Sequence, residues 1–334
     1  MKDWKTHKPS CPPFSVRETP GRGRGLFATR RIKEGEIILD EYPLCTLSLG
    51  SMTIFSLYEF KTKHFPNIDK ETKATILKFN DPADIFETLD TETVEEIISK
   101  IPCLLLWKEF ITDETNKFLR IFIRNRTLIC GDSSLYSNTT EAGLYRNISL
   151  INHCCLPNAV DSWVMGDCRR HQVRALRTIE KEEEIVVSYC QNWPEFNWGS
   201  REFRQQQLLE TRVLVCQCSE CSLEGEELQE NQRMRAEVRE KKAEIRQTLS
   251  GGGSDRRRSV KKAMKLAQQR VNLVQKLNIR VMFVSEMINF YDAASDAKKM
   301  GISAPDPDTF KHEALKYAKK YGDALMYCCS KYFQ

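Results

Sequence analysis

The 334-residue sequence lacks both a long apolar run and an excess of charge of one sign. No stretch of about 18 consecutive apolar residues occurs and the first residues are polar, so we predict neither a membrane span nor a secretory signal. The 51 basic and 46 acidic residues leave a net charge of +5, which is too balanced to indicate nucleic-acid binding. With 41% hydrophobic residues, the chain can bury a substantial core divided among two or three domains.

A disulfide framework is also not expected, although the chain contains 13 cysteines. Their number is odd and no secretory signal precedes them, so we interpret them as thiols and metal ligands. Free thiols persist in a reducing compartment. The sequence therefore predicts a globular protein of the cytosol or the nucleus, with no membrane partner.

Three of the cysteines, Cys216, Cys218 and Cys221, have the spacing C-x-C-x-x-C. A tetrahedral zinc site needs four ligands, so a fourth must come from elsewhere in the fold, and Cys155 is the best candidate. Such an all-cysteine set leaves no open position on the metal, which argues against a zinc-dependent hydrolase. Unpaired surface thiols are the alternative interpretation.

Three other segments have the composition of a ligand-binding site. The stretch Gly21–Ala28 has glycines of the kind needed where the backbone approaches a ligand or adopts a positive φ, although an ordinary turn is the alternative. The stretch Ser149–Asn158 places an amide, an imidazole and two thiols in succession after an apolar run. Tyr189 closes the strand-like segment Glu184–Ser188, where a buried structural tyrosine is the alternative.

In this order along the chain, these segments and the cysteine motif resemble the SET-domain lysine methyltransferases, and Gly143–Ile148 is similar to the SET-and-MYND branch. The resemblance implies S-adenosylmethionine-dependent transfer of a methyl group to a protein lysine, histone or non-histone. It also implies that Tyr189 is catalytic and that zinc is structural. Contacts with the cofactor are implied for Gly23, Arg24, Gly25, Leu26, Asn125, Asn152, His153, Tyr189 and Leu214.

Four positions depart from the family pattern. Arg212 and Leu214 stand where the family usually has a tyrosine lining the lysine channel and a phenylalanine stacked on adenine, while Cys154 replaces a serine and Thr127 an aromatic residue. A guanidinium in the channel would repel the substrate ammonium, so we expect Arg212 to point to water or to an acidic neighbour. The departures leave an alternative function, a catalytically weak or inactive SET-fold protein that acts as a protein-interaction module.

Local patterns predict the remaining elements. Residues 14–49 alternate short apolar runs with turns, which predicts a β-hairpin turning at Lys33–Glu36. Residues 54–127 have helical spacing and are similar to the helical insertion of the SET-and-MYND branch, while Asn125–Ile129 is similar to one of its strands. Apolar residues recur at helical spacing beyond Ser222, which predicts packed helices. The family branch carries a C-terminal helical domain, so the resemblance implies a region that covers the substrate cleft or binds a protein partner, whereas the apolar stripe alone indicates only a core.

We therefore predict an α+β protein: a β-rich SET fold with a helical insertion, a zinc-bound post-SET segment and an all-helical C-terminal domain. Trp4, His7 and Cys11 are similar to the end of a MYND zinc finger, so we expect the chain to begin inside one; an exposed polar terminus without metal is the alternative. The predicted domains are 1–13 (MYND remnant), 14–50 (SET N-terminal part), 51–120 (helical insertion), 121–200 (SET C-terminal part), 201–225 (post-SET segment) and 226–334 (helical domain).

Overall fold

A computed structural model describes residues 12–48, 65–79, 81, 92, 114–129, 141–164, 167–190, 194–250 and 256–322. The MYND-like residues Trp4, His7 and Cys11 and most of the predicted helical insertion lie outside the described residues. The strands are β1 (Phe14–Thr19), β2 (Gly23–Ala28), β3 (Ile37–Glu41), β4 (Cys45–Ser48), β5 (Thr127–Ile129), β6 (Glu141–Leu144), β7 (Asn152–His153), β8 (Ala159–Val164), β9 (Asp167–Ala175) and β10 (Glu184–Val187). The helices are α1 (Lys70–Ile76), α2 (Glu114–Asn125), α3 (Pro194–Asn197), α4 (Arg201–Arg212), α5 (Gly225–Ser250), α6 (Arg256–Lys276), α7 (Phe283–Lys299) and α8 (Pro307–Tyr321).

The strand β2 lies inside a four-stranded sheet of order β1-β2-β10-β7. It pairs antiparallel with β1 along its whole length, and Leu26 faces Ile185 of β10. The turn between β1 and β2 uses Gly21 and Gly23, both with φ of +69°, a backbone region that side chains other than glycine rarely adopt. The glycine-rich stretch is therefore itself a hairpin turn followed by a buried strand.

The hairpin predicted around Lys33–Glu36 is wrong, because β3 does not return along β2. The turn itself forms, with Glu36 N–H donating to Lys33 C=O at 3.0 Å and Gly35 at φ of +82°. However, Gly35 N–H donates to Ala175 C=O at 2.8 Å, so the chain passes to a second sheet of order β3-β9-β8. Backbone pairing with a distant segment thus overrides the local hairpin pattern.

A third sheet has the order β4-β6-β5. Directly before β5 in the chain, α2 buries Phe118, Ile121 and Phe122 and continues to Asn125. The predicted strand Asn125–Ile129 is therefore shorter than expected and begins at Thr127.

The described residues belong to two compact units. The first comprises residues 1–152, 163–186 and 205–216, and the second comprises residues 153–162, 187–204 and 217–334. In the second unit, α5 packs on α6, α6 on α7 and α7 on α8, so helices that are adjacent in sequence are adjacent in space. Their core contains Ala267, Val271, Val284, Met287, Phe290, Ala293, Ala314 and Ala318.

The structure confirms the predicted fold class, a mixture of sheets and helices with a helical C-terminal region. The helices α6, α7 and α8 each bury an apolar stripe, which explains the helical spacing of apolar residues in this part of the sequence. None of the described helices has the length and apolarity required to cross a membrane.

Candidate active site and metal centre

Asn152 is bonded to the glycine-rich strand β2 within the first unit. Its side-chain amide donates to Glu184 Oε1 at 2.8 Å and to the carbonyl of Arg24 at 3.3 Å. The other carboxylate oxygen of Glu184 accepts from Arg22 Nη2 at 2.6 Å. The Glu184 carboxylate therefore joins Asn152 to the turn and strand that carry the glycines.

Gly25 lies where three polar side chains converge. A Cβ atom here would be 2.7 Å from Glu184 Oε1 and 2.9 Å from both Asn152 Nδ2 and Thr19 Oγ1, so the position has no room for a side chain. Thr19 Oγ1 is buried and has no hydrogen-bond partner among the described residues. Buried hydroxyls normally have a partner, so this arrangement fits a polar ligand bound against the strand.

The other residues predicted to contact the cofactor lie in different surroundings. Gly23 begins β2, and the Leu26 side chain is fully buried in the sheet. Asn125 ends α2, where its amide donates to the carbonyl of Ile121 at 2.7 Å. Leu214 is half-buried in the irregular segment after α4. Their contacts with a cofactor stay predictions.

The contacts around Asn152 and Gly25 form one contact group. His153 and Tyr189 form a second contact group, in the second unit. Tyr189 lies two residues beyond the end of β10 rather than closing the strand. Its backbone N–H donates to His153 Nδ1 at 3.0 Å, and the two ring centroids are 5.2 Å apart. His153 Nε2 lies 3.3 Å from Cys155 Sγ. Since His153 directly follows Asn152, the two groups are joined by consecutive residues.

Arg212 does not reach water as expected, because only 8% of it is exposed. Its Nη1 donates to the carbonyl of Arg126 at 2.6 Å, and Arg124 Nη1 in turn donates to the carbonyl of Val213 at 2.8 Å. A buried guanidinium needs acceptors, and the main chain supplies one here. The two arginines together hold the end of α4 against the segment that joins α2 to β5.

The four predicted zinc ligands form one cluster. All four side chains are buried, and the Sγ atoms of Cys155, Cys216, Cys218 and Cys221 lie within 4.8 Å of one another. The Cys155 and Cys221 sulfurs are 3.7 Å apart, close to the roughly 3.8 Å expected between thiolates bound tetrahedrally to zinc at about 2.3 Å. The backbone N–H of Cys155 donates to Cys218 Sγ at 3.4 Å. The cluster therefore has the donor set and spacing of a metal site.

Arg204 is a fully buried arginine beside these sulfurs, and its surroundings indicate whether the cluster fits a metal. Arg204 Nη1 donates to the carbonyl of Gly199 at 2.8 Å, whereas the only groups of the described residues that face Nε and Nη2 as acceptors are the sulfurs of Cys155 and Cys221, at poor hydrogen-bond geometry. Burial alone would lower the pKa of Arg204, yet the charges of Cys155 and Cys221 raise it. A buried guanidinium requires a counter-charge, and metal-bound thiolates supply one where neutral thiols do not. The surroundings of Arg204 thus fit a charged, metal-bound cluster.

A second fully buried arginine, Arg235, shows the contrast. It donates to Asn231 Oδ1 at 2.8 Å, to Glu220 Oε2 at 2.6 Å and to the carbonyl of Asn197. Burial lowers the pKa of Arg235, and Glu220 is its carboxylate partner. Arg204 therefore differs from Arg235 in having sulfurs in place of a carboxylate.

Cys154 is next to a ligand in sequence but does not belong to the cluster. Its Sγ accepts from the backbone N–H of Leu156 at 3.4 Å. A hydrogen bond with Cys218, followed by burial, raises the pKa of Cys154. Cys154 therefore lies beside the four-sulfur site without being one of its members.

The family model of the SET domain matches residues 23–190, half of the chain. The match begins at Gly23 of the glycine-rich strand and extends past Tyr189, so it includes Asn152, His153 and Tyr189. The chain belongs to the SET-domain family.

Curated relatives of this SET domain are lysine methyltransferases. Histone-lysine N-methyltransferase ASHR1 of Arabidopsis thaliana is 26% identical over 223 residues, which are 66% of this chain and 40% of that protein. Protein-lysine N-trimethyltransferase SMYD5 of Homo sapiens is 36% identical over 95 residues, 28% of this chain and 21% of that protein. Histone-lysine N-methyltransferase SMYD3 of Mus musculus is 25% identical over 223 residues, 67% of this chain and 42% of that protein. The matches confirm a SET protein of the SET-and-MYND branch.

The chain spans less than half of the length of each of these relatives. Among solved structures, one described as the SET domain of LSMT bound to lysine and AdoHcy aligns with a TM-score of 0.39 and 11% identity, over 98% of this chain and 88% of that one. That score is too low to carry an argument about this SET domain.

Two residues of the SET-domain site were not predicted from the sequence, Glu184 and Arg204. Glu184 begins the strand-like segment, and alternation along that strand would have placed its side chain on the same face as Val186. Arg204 lies in a charged helix. Its burial could have been inferred only from Leu208, an apolar residue four positions later on the same helical face, which is also fully buried.

Proposed function

We propose that this chain catalyses S-adenosylmethionine-dependent transfer of a methyl group to a protein lysine, histone or non-histone. The observation that carries the proposal is the continuity of the two contact groups. Asn152 is bonded to the glycine-rich strand, and the next residue, His153, is bonded to the backbone of Tyr189. The family model covers all of these residues, and similar curated proteins carry the names of lysine methyltransferases.

The residues around Gly25 fit the cofactor. Thr19 offers a buried hydroxyl, and the missing side chain at Gly25 lets a ligand approach the strand closely. S-adenosylmethionine, when bound, supplies a methyl group on a positively charged sulfur. Glu184 contributes a carboxylate that forms an ion pair with Arg22 and is held in position by a hydrogen bond from Asn152.

The chemistry asks little of the protein beyond positioning. The lysine amine must be neutral and in line with the methyl group, about 3 Å from it. Desolvation lowers the pKa of a lysine, so a dry channel favours the neutral amine. We assign to the Tyr189 hydroxyl the orientation of that amine, with its ring packed against His153 and its main chain held by the same residue.

We also propose that Cys155, Cys216, Cys218 and Cys221 hold one structural zinc ion. The sulfur spacing and the buried charge of Arg204 support this proposal. Four thiolates fill the coordination sphere, so the ion stabilises the segment after α4 and takes no part in methyl transfer.

The function is tested by titrating the full chain with S-adenosylmethionine in a calorimeter and assaying transfer of a labelled methyl group to a peptide array. We expect Tyr189→Phe to keep most of the cofactor affinity and to lower kcat by roughly 100-fold or more. Tyr317→Phe is the matched control, because it removes a hydroxyl that donates to the carbonyl of Arg280 at 2.9 Å in the helical region. It should keep full activity.

Two results would contradict the proposal. A chain that binds no S-adenosylmethionine would exclude the reaction. A wild-type chain that binds the cofactor but methylates no peptide would instead favour the protein-interaction module.

A further inference from the structure

We propose that the exposed face of α6 binds the phosphate backbone of duplex DNA, as a second binding surface that does not depend on methyl transfer. The charge of this helix is the observation that carries the proposal. Residues Arg256–Lys276 include eight basic residues and no acidic one, a charge of +8, whereas the whole chain has a net charge of +5. The rest of the chain is therefore slightly acidic, and the charge balance of the complete sequence conceals one strongly basic element.

One of the eight cations of α6 serves the helical core. Arg270 is buried and pairs with Glu286 at 2.7 Å. The other seven are exposed, and they include Lys262, which pairs with Glu244 at 2.7 Å, and Arg257, which donates to a carbonyl at the end of α7 at 3.0 Å. The neighbouring helix α5 differs, since its six basic residues are matched by six acidic ones.

Four of the exposed cations follow one line along α6. Arg258, Lys261, Lys265 and Lys276 are separated by three, four and eleven residues, which are spacings that return to the same helical face. At 1.5 Å per residue, this line is about 27 Å long. Neither Lys261 nor Lys265 forms an ion pair with a residue that the structure describes. The fold therefore leaves the charges at the centre of the line available to a ligand.

The start of α6 shows that helix stability does not account for this charge. Its first turn has three arginines and no acidic residue. The N-terminus of a helix has a partial positive charge, so cations in this turn destabilise the helix and acidic residues would stabilise it. Only Arg257 has a compensating contact with the end of another helix, through the carbonyl of Met300. The basic composition is therefore better explained by a negatively charged ligand than by folding.

The residue types on this face select the kind of ligand. Every exposed residue of α6 is Arg, Lys, Asn or Gln, while Ala267 and Val271 pack in the core with α7 and α8. Protein interfaces have an apolar or aromatic centre and few lysines, and a helix that binds a membrane needs apolar side chains beside its basic face. Interfaces with nucleic acid are polar and positively charged, and these four residue types bind phosphates there. The face therefore fits a nucleic acid better than an acidic protein or a lipid surface.

The shape of the face favours a DNA duplex. Single strands bind through bases stacked on aromatic side chains, and α6 contains no aromatic residue. Domains that bind double-stranded RNA span roughly 16 base pairs and reach two minor grooves, which is longer than this helix. A line of about 27 Å matches roughly eight base pairs of B-form DNA at 3.4 Å per pair. Contacts to phosphates alone carry no sequence information, so we expect binding with little sequence preference.

The test titrates the full chain into a fluorescein-labelled DNA duplex of about 20 base pairs and measures fluorescence anisotropy between about 50 and 200 mM salt. We expect the affinity to fall steeply with salt, because phosphate contacts release counterions. Replacing two lysines together, Lys261→Gln with Lys265→Gln, should weaken binding by roughly tenfold or more. It should also reduce the slope of log affinity against log salt by roughly two, one for each lost contact.

Matched variants separate this surface from general charge and from stability. Lys261→Arg with Lys265→Arg keeps both charges and should bind DNA like the wild type. Lys33→Gln with Lys181→Gln removes the same charge from exposed turns of the first unit and should change the affinity by less than roughly twofold, because salt screens distant charges. Glutamine is a good helix former, so the α6 glutamine variant should keep the Tm and the S-adenosylmethionine affinity of the wild type.

Three results would overturn the proposal. The first is no binding to the DNA duplex at about 50 mM salt. The second is an equal loss of affinity in the turn variant, which would mean attraction by general charge. The third is tighter binding to duplex RNA, to polyglutamate or to vesicles of phosphatidylserine and phosphatidylcholine in equal parts. A chain that binds DNA through Lys261 and Lys265 but transfers no methyl group would support this surface and contradict only the proposed function.

Discussion

At the scale of single residues, Arg204 is a buried cation whose nearest negative groups are the sulfurs of Cys155 and Cys221. We expect Arg204→Met to weaken zinc binding by roughly 10- to 100-fold, the usual effect of removing a group that supports metal ligands. Arg204→Lys keeps the charge, so its zinc affinity should lie between that of Arg204→Met and that of the wild type. Competition with a chromophoric chelator measures the affinity.

Arg270→Met is the control for removal of a buried guanidinium. It breaks the pair between Arg270 and Glu286, whose charged atoms are 2.7 Å apart in the helical core. Leaving Glu286 without its partner should cost about 3–5 kcal/mol of stability, visible in Tm, with the same zinc affinity as the wild type. Equal zinc loss in both variants would mean that Arg204 acts only through general stability.

The space around Gly25 gives a second prediction at this scale. Gly25→Ala places a methyl group against Glu184, Asn152 and Thr19, so it should lower affinity for S-adenosylmethionine by roughly tenfold or more and cost about 1–3 kcal/mol. Gly21→Ala, at φ of +69° with no atom within 4 Å of the added carbon, suffers only backbone strain of about 1–2 kcal/mol. Calorimetry should show near-normal cofactor affinity for Gly21→Ala. A similar loss of cofactor affinity in both variants would show that backbone strain, rather than crowding by the added methyl group, determines binding.

At the scale of elements, the segment between α4 and α5 has no regular secondary structure and contains three of the four clustered cysteines. Cys218→Ser should therefore lose most of the zinc and loosen residues 213–224, because site formation and local folding are coupled. The helical core around Phe290 buries its own apolar cluster and should keep its protection from hydrogen exchange. Loss of protection throughout α6–α8 would instead show that the cluster supports the whole second unit.

The elements also show why sequence reasoning succeeded in part. Helical stripes and strand alternation are local, so the helices beyond Ser222 and most strands were predictable. The pairing of β2 with β10, and of β3 with β9, joins segments far apart in the chain, and nothing local at Lys33–Glu36 indicated it. Register and sheet order depend on such non-local contacts, which a single sequence does not display.

The candidate site shows the same division at the scale of the whole molecule. The cysteine spacing predicted the cluster because four-coordinate zinc limits the possible ligand sets. The surroundings of charged side chains were harder to predict. For example, Arg212 was expected at the surface but is buried, and it donates to the carbonyl of Arg126. Whether a charge is solvated depends on what the complete fold places beside it, and the same applies to Glu184 and Arg204.

The position of β2 between β1 and β10 has a consequence for biosynthesis. The hairpin β1–β2 leaves the ribosome about 150 residues before β10, which at roughly 5–20 residues per second is about 8–30 s. During that time one edge of β2, including the apolar Leu26, has no strand to pair with and is exposed to aggregation or to chaperones. We expect ribosome-bound chains that end before Glu184 to be digested quickly by protease and chains extended past Cys221 to resist it. The glycine-rich strand would then be among the first segments of the site to be synthesised and among the last to become stable.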